Sequence, residues 1–275
     1  MTLRMGWFSS GQDEMSAELL RTVIHKQRQG FLDISISFAF FAWEEGDPQT
    51  SEASVARRRM LELARGSDIP VLRLSAHKVR AQYMSEPGRD WRACFGRQLR
   101  KTVYERPFEL GFMDRMEVDE DTCTRFDLMG LYPSLPDGPR GDEAEVLMQV
   151  LASKAKTHGM MARACVGRRD TVVPLTFCEF PLDAPATRTM RQELEALARG
   201  RPLSQVPQEE LRATALFRHI LAAQRSRWPP FLTYTLKLFA DGDLDIVNGR
   251  PVANGLSLAA PIDLTRAVDR ALEQP

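Results

Sequence analysis

Short apolar runs alternate with stretches of helical periodicity through the first two thirds of this 275-residue chain, and that alternation narrows its fold more than any other feature. Leu3-Arg4-Met5-Gly6-Trp7-Phe8 reads as a buried strand and Ser9 to Gln12 as a turn. Asp13 and Glu14 then open a helix to about Gln27, with acids at its positive end. Leu32 to Trp43, rich in Ile and Phe, is a second strand. A polar loop from Glu44 to Ser51 and a helix from Glu52 to Arg65 follow, the helix closed by Gly66. Ile69 to Leu74 is a third strand, and a basic irregular stretch leads to Arg89. Further on come a helix (Asp90 to Tyr104), a strand (Phe108 to Met113), a short helix (Val118 to Phe126) and a strand (Leu128 to Leu131). A helix from Asp142 to Lys156 precedes two strands, Gly159 to Val166 and Thr171 to Phe180. Such an order predicts βαβ units: a Rossmann-like α/β fold whose mostly parallel sheet carries helices on both faces. The last two strands follow each other closely enough to pair as an antiparallel edge.

The pattern changes after Phe180. Helices are expected over Ala184 to Arg199 and Val206 to Ser226, with a third beyond Trp228-Pro229-Pro230 and a last from Ile262 onward. Between them Asp241 to Val252 reads as a small β-hairpin turning at Asn248-Gly249. Residues 1–183 thus form one α/β domain. Residues 184–275 form an α-rich extension with a hairpin near 244–254.

Composition removes several classes of function. Lys plus Arg number 37 and Asp plus Glu number 37, and the basic residues are scattered rather than striped, so no nucleic-acid footprint is expected. No apolar run approaches the ~20 residues that span a bilayer. Met1 to Gly6 enters a strand directly, without a charged leader and cleavage site, which favours a cytoplasmic protein. Cys94, Cys123, Cys165 and Cys178 show no metal-ligand or CxxC spacing, which fits reduced thiols and no metal.

The informative region runs from Phe108 to Phe180. Leu110-Gly111-Phe112-Met113 is followed by Leu131-Tyr132-Pro133-Ser134-Leu135-Pro136, then by His158-Gly159 and Asp170. This resembles the folate-dependent formyltransferases of the glycinamide-ribonucleotide type. In that family one strand ends in Gly-Phe/Tyr-Met, the next in Asn-x-His-Pro before a Pro-rich loop, and an Asp precedes the final strand. The resemblance extends over residues 3 to 185 as an order of elements, including a Ser-Gly turn at Ser10-Gly11 whose following helix would hold a phosphate. The tail from Phe217 to Thr265 resembles an extension carried by a divergent subgroup.

The departures lie at the centre of the chemistry. The family's catalytic Asn falls on Gly130 and its catalytic His on Tyr132, while its Asp is kept as Asp170; a second His aligns near Arg163. The resemblance implies 10-formyltetrahydrofolate as the donor and a small-molecule acceptor of amine type. It makes Asp170 and Tyr132 the catalytic candidates and Ser10, Gly11, Gly111, Phe112, Met113, Gly130, Pro133 and Arg163 the binding candidates. Formyl transfer passes through a tetrahedral oxyanion, and losing one donor to it typically costs about 10²–10³ in rate. Glycine replaces no amide, and a phenol with a reference pKa near ~10 is a poor proton shuttle at neutral pH.

Two readings therefore stand at each position. Asp170 either orders a water or makes a turn within Gly167-Arg168-Arg169-Asp170. Tyr132 lines a pocket at a strand's carboxyl end or packs there. Ser10-Gly11 binds an anion or only turns the chain, with Asp13 and Glu14 competing for the helix end. Arg163, Arg168 and Arg169 recognise an anion or form a solvated loop. His158 reads as structural. For the whole chain, formyl transfer, changed chemistry such as formyl hydrolysis, and a non-catalytic relative binding a ligand or partner all remain open. So does the oligomeric state, a homodimer included.

Overall fold

The computed structural model describes residues 2–84, 90–116, 118–141, 143–153, 155–165, 173–198, 200–201, 205–247 and 250–274. By contacts the chain divides into two compact units. The first is Met1–Leu131, Ala162–Leu175 and Leu232–Ala260; the second is Tyr132–Met161, Thr176–Phe231 and Pro261–Pro275.

The first unit begins with β1 (Leu3–Ser9), α1 (Glu14–Arg28), β2 (Ile34–Phe41), α2 (Ser51–Arg65) and β3 (Val71–Arg73). β1 pairs in parallel with β2, and β2 in parallel with β3. The run Met5 to Ser9 is buried throughout, as a strand covered on both faces must be. Asp13 caps α1 by accepting the Ser16 amide, and Thr50 caps α2 by accepting the Ala53 amide. Gly66 sits at the C-cap of α2 with φ −70°, so it ends the helix without a left-handed turn.

α3 (Ala76–Met84) and α4 (Trp91–Val103) follow, then β4 (Leu110–Asp114), α5 (Glu120–Arg125) and β5 (Leu128–Tyr132). α3 corrects the expectation of irregular chain to Arg89. Its signal was Ser75, whose hydroxyl accepts the Lys78 amide at the head of the helix. β4 pairs in parallel with both β1 and β5. Phe8, Phe38, Phe40, Phe95, Leu99 and Leu128 form one buried cluster beneath these strands. Phe8 meets Phe38 edge-on at 5.4 Å and Phe108 at 5.6 Å, the geometry aromatic quadrupoles prefer.

Beyond β5 lie α6 (Glu143–Ala152), β6 (Thr157–Ala164), β7 (Val173–Pro181), α7 (Pro185–Ala198), α8 (Gln208–Arg212) and α9 (Ala215–Asp241). α9 corrects the expected break at Pro229-Pro230: both prolines lie inside one helix. Each removes a backbone hydrogen bond at a cost of ~3 kcal/mol. Offsetting this, Leu216, Ile220, Trp228, Phe231, Leu232 and Leu236 along the same helix are buried, at ~1.5–3 kcal/mol each.

The chain closes with β8 (Leu244–Val247), β9 (Arg250–Ala253), β10 (Leu256–Ser257), β11 (Ile262–Asp263) and α10 (Thr265–Glu273). The expected hairpin is present, with Val247 opposite Arg250, though its turn residues Asn248 and Gly249 lie outside the described residues. A third strand extends it. Asn254 and Gly255, at φ +51° and +78°, turn β9 into β10, the two-residue geometry that Asn-Gly favours. Ile262 and Asp263 do not begin the last helix as expected but pair in parallel with β7, so β7 is not the edge of the sheet.

The hydrogen-bonded order of the large sheet is β11-β7-β6-β5-β4-β1-β2-β3. The fold is a Rossmann-like α/β sheet, mostly parallel, with helices, an α-rich C-terminal part and a small antiparallel sheet.

One expectation about the cysteines is overturned. Cys123 on α5 and Cys165 just past β6 form a disulfide, with Cα atoms 5.5 Å apart; Cys94 and Cys178 are free. A separation of 42 residues carries no spacing signal, and only the fold brings the two together.

Candidate functional site at the carboxyl ends of β1 and β4

The chain leaves β1 toward β2 on one side, while β4 enters on the other, so the strand order reverses at the β1–β4 pair. Ligands of open parallel sheets bind outside the carboxyl ends at such a switch point. β1 ends here in Ser9 and continues into Ser10-Gly11; β4 ends in Gly111-Phe112-Met113-Asp114.

Gly111, Phe112 and Met113 are the register partners of Gly6, Trp7 and Phe8, and of Leu128, Met129 and Gly130 on β5. Gly111 is buried, and a Cβ there would strike the Leu128 side chain. Phe112 is fully buried against Trp7, with ring centroids 4.6 Å apart. Met113, Met116 and Val118 are partly buried and pack on the aromatic cluster. Gly130 keeps β5 close to its neighbour: a Cβ would lie 3.2 Å from the Met113 carbonyl oxygen.

Sequence reasoning missed Asp114. Its carboxylate is buried and accepts the Ser9 hydroxyl at 2.6 Å, with Ser16 as a second donor. Burial holds this carboxyl above the usual range, Asp13 adds in the same direction, and the two serines and Arg115 pull the other way. The Ser10 amide donates to the Asp114 carbonyl at 3.3 Å and the Gly11 amide to Ser9 Oγ at 3.0 Å. Arg115, next along, sits at φ +48° and ion-pairs with Asp13 at 2.5 Å. A non-glycine residue in that region costs of order 1–3 kcal/mol and clusters at functional sites. A readable sign was present: an acid at the end of an otherwise apolar strand.

Asp13 also answers the question of the helix end. The amino terminus of α1 is already capped by its carboxylate, so an anion there competes with an acid of the chain.

Tyr132 and Pro133 lie in the other unit. Tyr132 Oη donates to the Gly141 carbonyl at 2.7 Å and accepts the Gly141 amide at 2.6 Å. The phenol thereby clasps the two ends of the Pro-rich loop. Pro133 is half-buried at the loop's start, and Arg163 is half-buried on β6 and engaged with neighbours. Asp170, Arg168 and Arg169 lie outside the described residues.

His158 is structural, as expected. Its Nε2 donates to Gln224 Oε1 at 3.1 Å, and Gln224 Nε2 donates to Glu143 Oε1 at 3.2 Å. Burial lowers its pKa to about 4, so it is neutral near pH 7. Among the described residues no group of three His, Cys, Asp or Glu is placed to hold a metal ion, and no helix is long and apolar enough to cross a membrane. A cleft of about 430 Å³ lies between α1 and α2, lined by Glu18, Arg21, His25, Arg28, Arg59 and Glu62 among others, and includes no residue of the strand ends.

By sequence, no family model and no curated protein matches the chain. Solved structures do. A glycinamide ribonucleotide transformylase from Symbiobacterium toebii superposes with TM-score 0.55 at 18% identity, over 91% of this chain and 93% of its own. The phosphoribosylglycinamide formyltransferase of Coxiella burnetii gives TM-score 0.59 at 16% identity, over 96% and 99%. The fold is formyltransferase-like. A formyltetrahydrofolate deformylase from Pseudomonas syringae shares this formyltransferase-like fold, with TM-score 0.59 at 9% identity, over 92% of this chain and 66% of its own. One formyltransferase-like scaffold thus serves proteins named for transfer and for hydrolysis, and the reaction is decided by side chains at the site.

Proposed function

We propose that this protein binds 10-formyltetrahydrofolate and transfers its formyl group to an amine-type small-molecule acceptor. The carrying observation is the formyltransferase-like fold with the half-buried Met113, Met116 and Val118 at and after the carboxyl end of β4, where Ser9 and Asp114 are hydrogen-bonded at the switch point. The folate ring would lie against the apolar side chains, outside the carboxyl ends of the strands. The bound folate would supply the formyl carbon. Asp170 is the residue proposed to hold a water that moves the proton from the attacking amine to the leaving folate nitrogen as its bond to the formyl carbon breaks. Gly130 gives no side-chain donor, so slow turnover is expected.

A second reading, a ligand-binding relative without turnover, is favoured by one observation. The Tyr132 phenol is committed to both backbone groups of Gly141 and is a positioning residue in this state.

Calorimetric titration with a non-reactive 10-formyl folate analogue tests the binding step. Binding of one equivalent near ~1 μM supports the donor site; no heat at ~1 mM removes the folate reading. Single-turnover assays with amine acceptors then separate the two readings. Asp170→Asn is expected to abolish formyl transfer while leaving folding and folate binding intact. Unchanged transfer removes Asp170 from the chemistry.

A further inference from the structure

α5 is a helix of six residues, too short to keep its shape alone, and only Thr122 and Cys123 of it are buried. Among the described residues two side-chain anchors hold it. On one side Arg100 of α4 donates from Nη1 to both carboxylate oxygens of Asp119 at 2.9 Å and to Thr122 Oγ1 at 2.7 Å. On the other side Cys123 is bonded to Cys165 at the end of β6. The Cys165 amide separately donates to the Leu128 carbonyl at 2.7 Å, so the end of β6 keeps its place on β5 without the sulfur bond. Opening that bond releases α5 on one side and leaves the strands paired.

α5 follows directly on the stretch that carries Met116 and Val118. Those two side chains, Met113, Phe126 and Cys165 all pack on the aromatic cluster that includes Phe8 and Leu128. Where α5 lies therefore bears on where Met116 and Val118 lie beyond the end of β4. The two sulfurs also differ in access: Cys123 is 9% exposed, whereas Cys165 is half-buried. A small thiol or disulfide reaches Cys165 first, and Cys123 is placed to resolve the product. Cys94 packs on the same cluster yet stays free, and Cys178 is buried.

We propose that Cys123 and Cys165 are a reversible dithiol switch, modified by a low-molecular-weight disulfide such as glutathione disulfide, whose bonded form fixes α5 beside the candidate site. In the closing direction the Cys165 thiolate attacks one sulfur of the small disulfide and expels the first glutathione thiolate. The Cys123 thiolate then attacks Cys165 Sγ and expels the second. One sulfur–sulfur bond breaks and one forms. The protein pair gives up two electrons and two protons, and the two glutathione molecules take them. The bonded form holds α5 from both sides and so presents Met116 and Val118 in one arrangement, which lowers the cost of ordering them around a ligand.

The test equilibrates the full chain, without folate, in mixtures of reduced and oxidised glutathione. Alkylation and mass spectrometry read the pair. Hydrogen exchange reads α5 at the Cys123 and Phe126 amides, which donate to the Asp119 and Thr122 carbonyls. The pair is expected to open in excess reduced glutathione and to close when oxidised glutathione is restored, with exchange about tenfold faster in the open form. Cys94→Ser responds in the same way. Cys123→Ser and Cys165→Ser exchange at the open rate in every mixture, at unchanged circular dichroism. A pair that stays bonded in excess reduced glutathione, or equal exchange in the two forms, overturns the switch.

The link to the candidate site rests on the folate reading and is measured second. The reduced protein and Cys123→Ser are expected to bind the non-reactive 10-formyl folate analogue about tenfold more weakly than the bonded form. Equal affinity overturns that link. Binding by neither form removes the folate reading, while the exchange difference still decides the switch.

Discussion

The hydroxyl of Ser9 donates to the carboxylate of Asp114 at 2.6 Å, and the two residues are register partners at the carboxyl ends of β1 and β4. The bond joins the two strands where the sheet order reverses. It also orients Ser9 Oγ to accept the Gly11 amide, so a buried acid shapes the turn that follows β1.

That acid titrates against the fold. Its folded pKa is raised by burial, so the folded state holds the proton more tightly than the unfolded one. Stability contributed at this residue therefore falls as pH rises from the unfolded value of 3.8 through the raised folded value. Asp114→Asn keeps an acceptor for Ser9 and abolishes the titration. The melting temperature of the variant, relative to wild type, is expected to rise with pH across that window. Parallel profiles refute the assignment.

His158 titrates with the opposite sign. Its folded pKa of about 4 lies below the ordinary 6.5, so stability is lost as pH falls from 6.5 toward 4. The difference amounts to about 3 kcal/mol when complete. His158→Asn is expected to be less stable at neutral pH and to show a shallower loss on acidification. Denaturant melts at several pH values measure both effects.

Tyr132→Phe removes a donor and an acceptor from Gly141. A loss of about 1–3 kcal/mol in urea unfolding is expected, with folate-analogue affinity changed less than turnover if the loop positions the reacting groups. Equal loss of both shows a purely structural role.

Thiol counting checks the disulfide. Denatured, unreduced protein should expose the two free thiols of Cys94 and Cys178, and reduction should raise the count to all four cysteines. In the native protein Cys94 should react before Cys178, which is buried with its thiol pushed up to about 12. Reduction is expected to lower stability by about 4 kcal/mol for a loop of this length. Four reactive thiols before reduction contradict the bond.

The strands were legible because burial on both faces writes itself as unbroken apolar runs, as in Met5 to Phe8 and Phe38 to Phe41. Helix starts were legible where a capping acid stands before the periodic run, as at Asp13 and Asp90. α3 was overlooked because one serine cap heads a basic stretch of weak periodicity. Pro229 and Pro230 misled because a local rule was outweighed by burial along α9. At the candidate site, Gly111 and Met113 were named through their motif. Asp114 and Arg115 carry no motif.

The amino-acid sequence by itself determined the class of fold, the order of most strands and helices up to β7, and the substitution of glycine and tyrosine at the two positions where the resemblance expects catalytic side chains. These follow from hydrophobic period and short motifs, which are local. The tertiary structure alone decided that Asp114 is buried against Ser9, that Tyr132 is tied to Gly141, and that Cys123 meets Cys165. Those depend on which strand ends and helix faces come together, and long-range proximity leaves no trace in residue spacing.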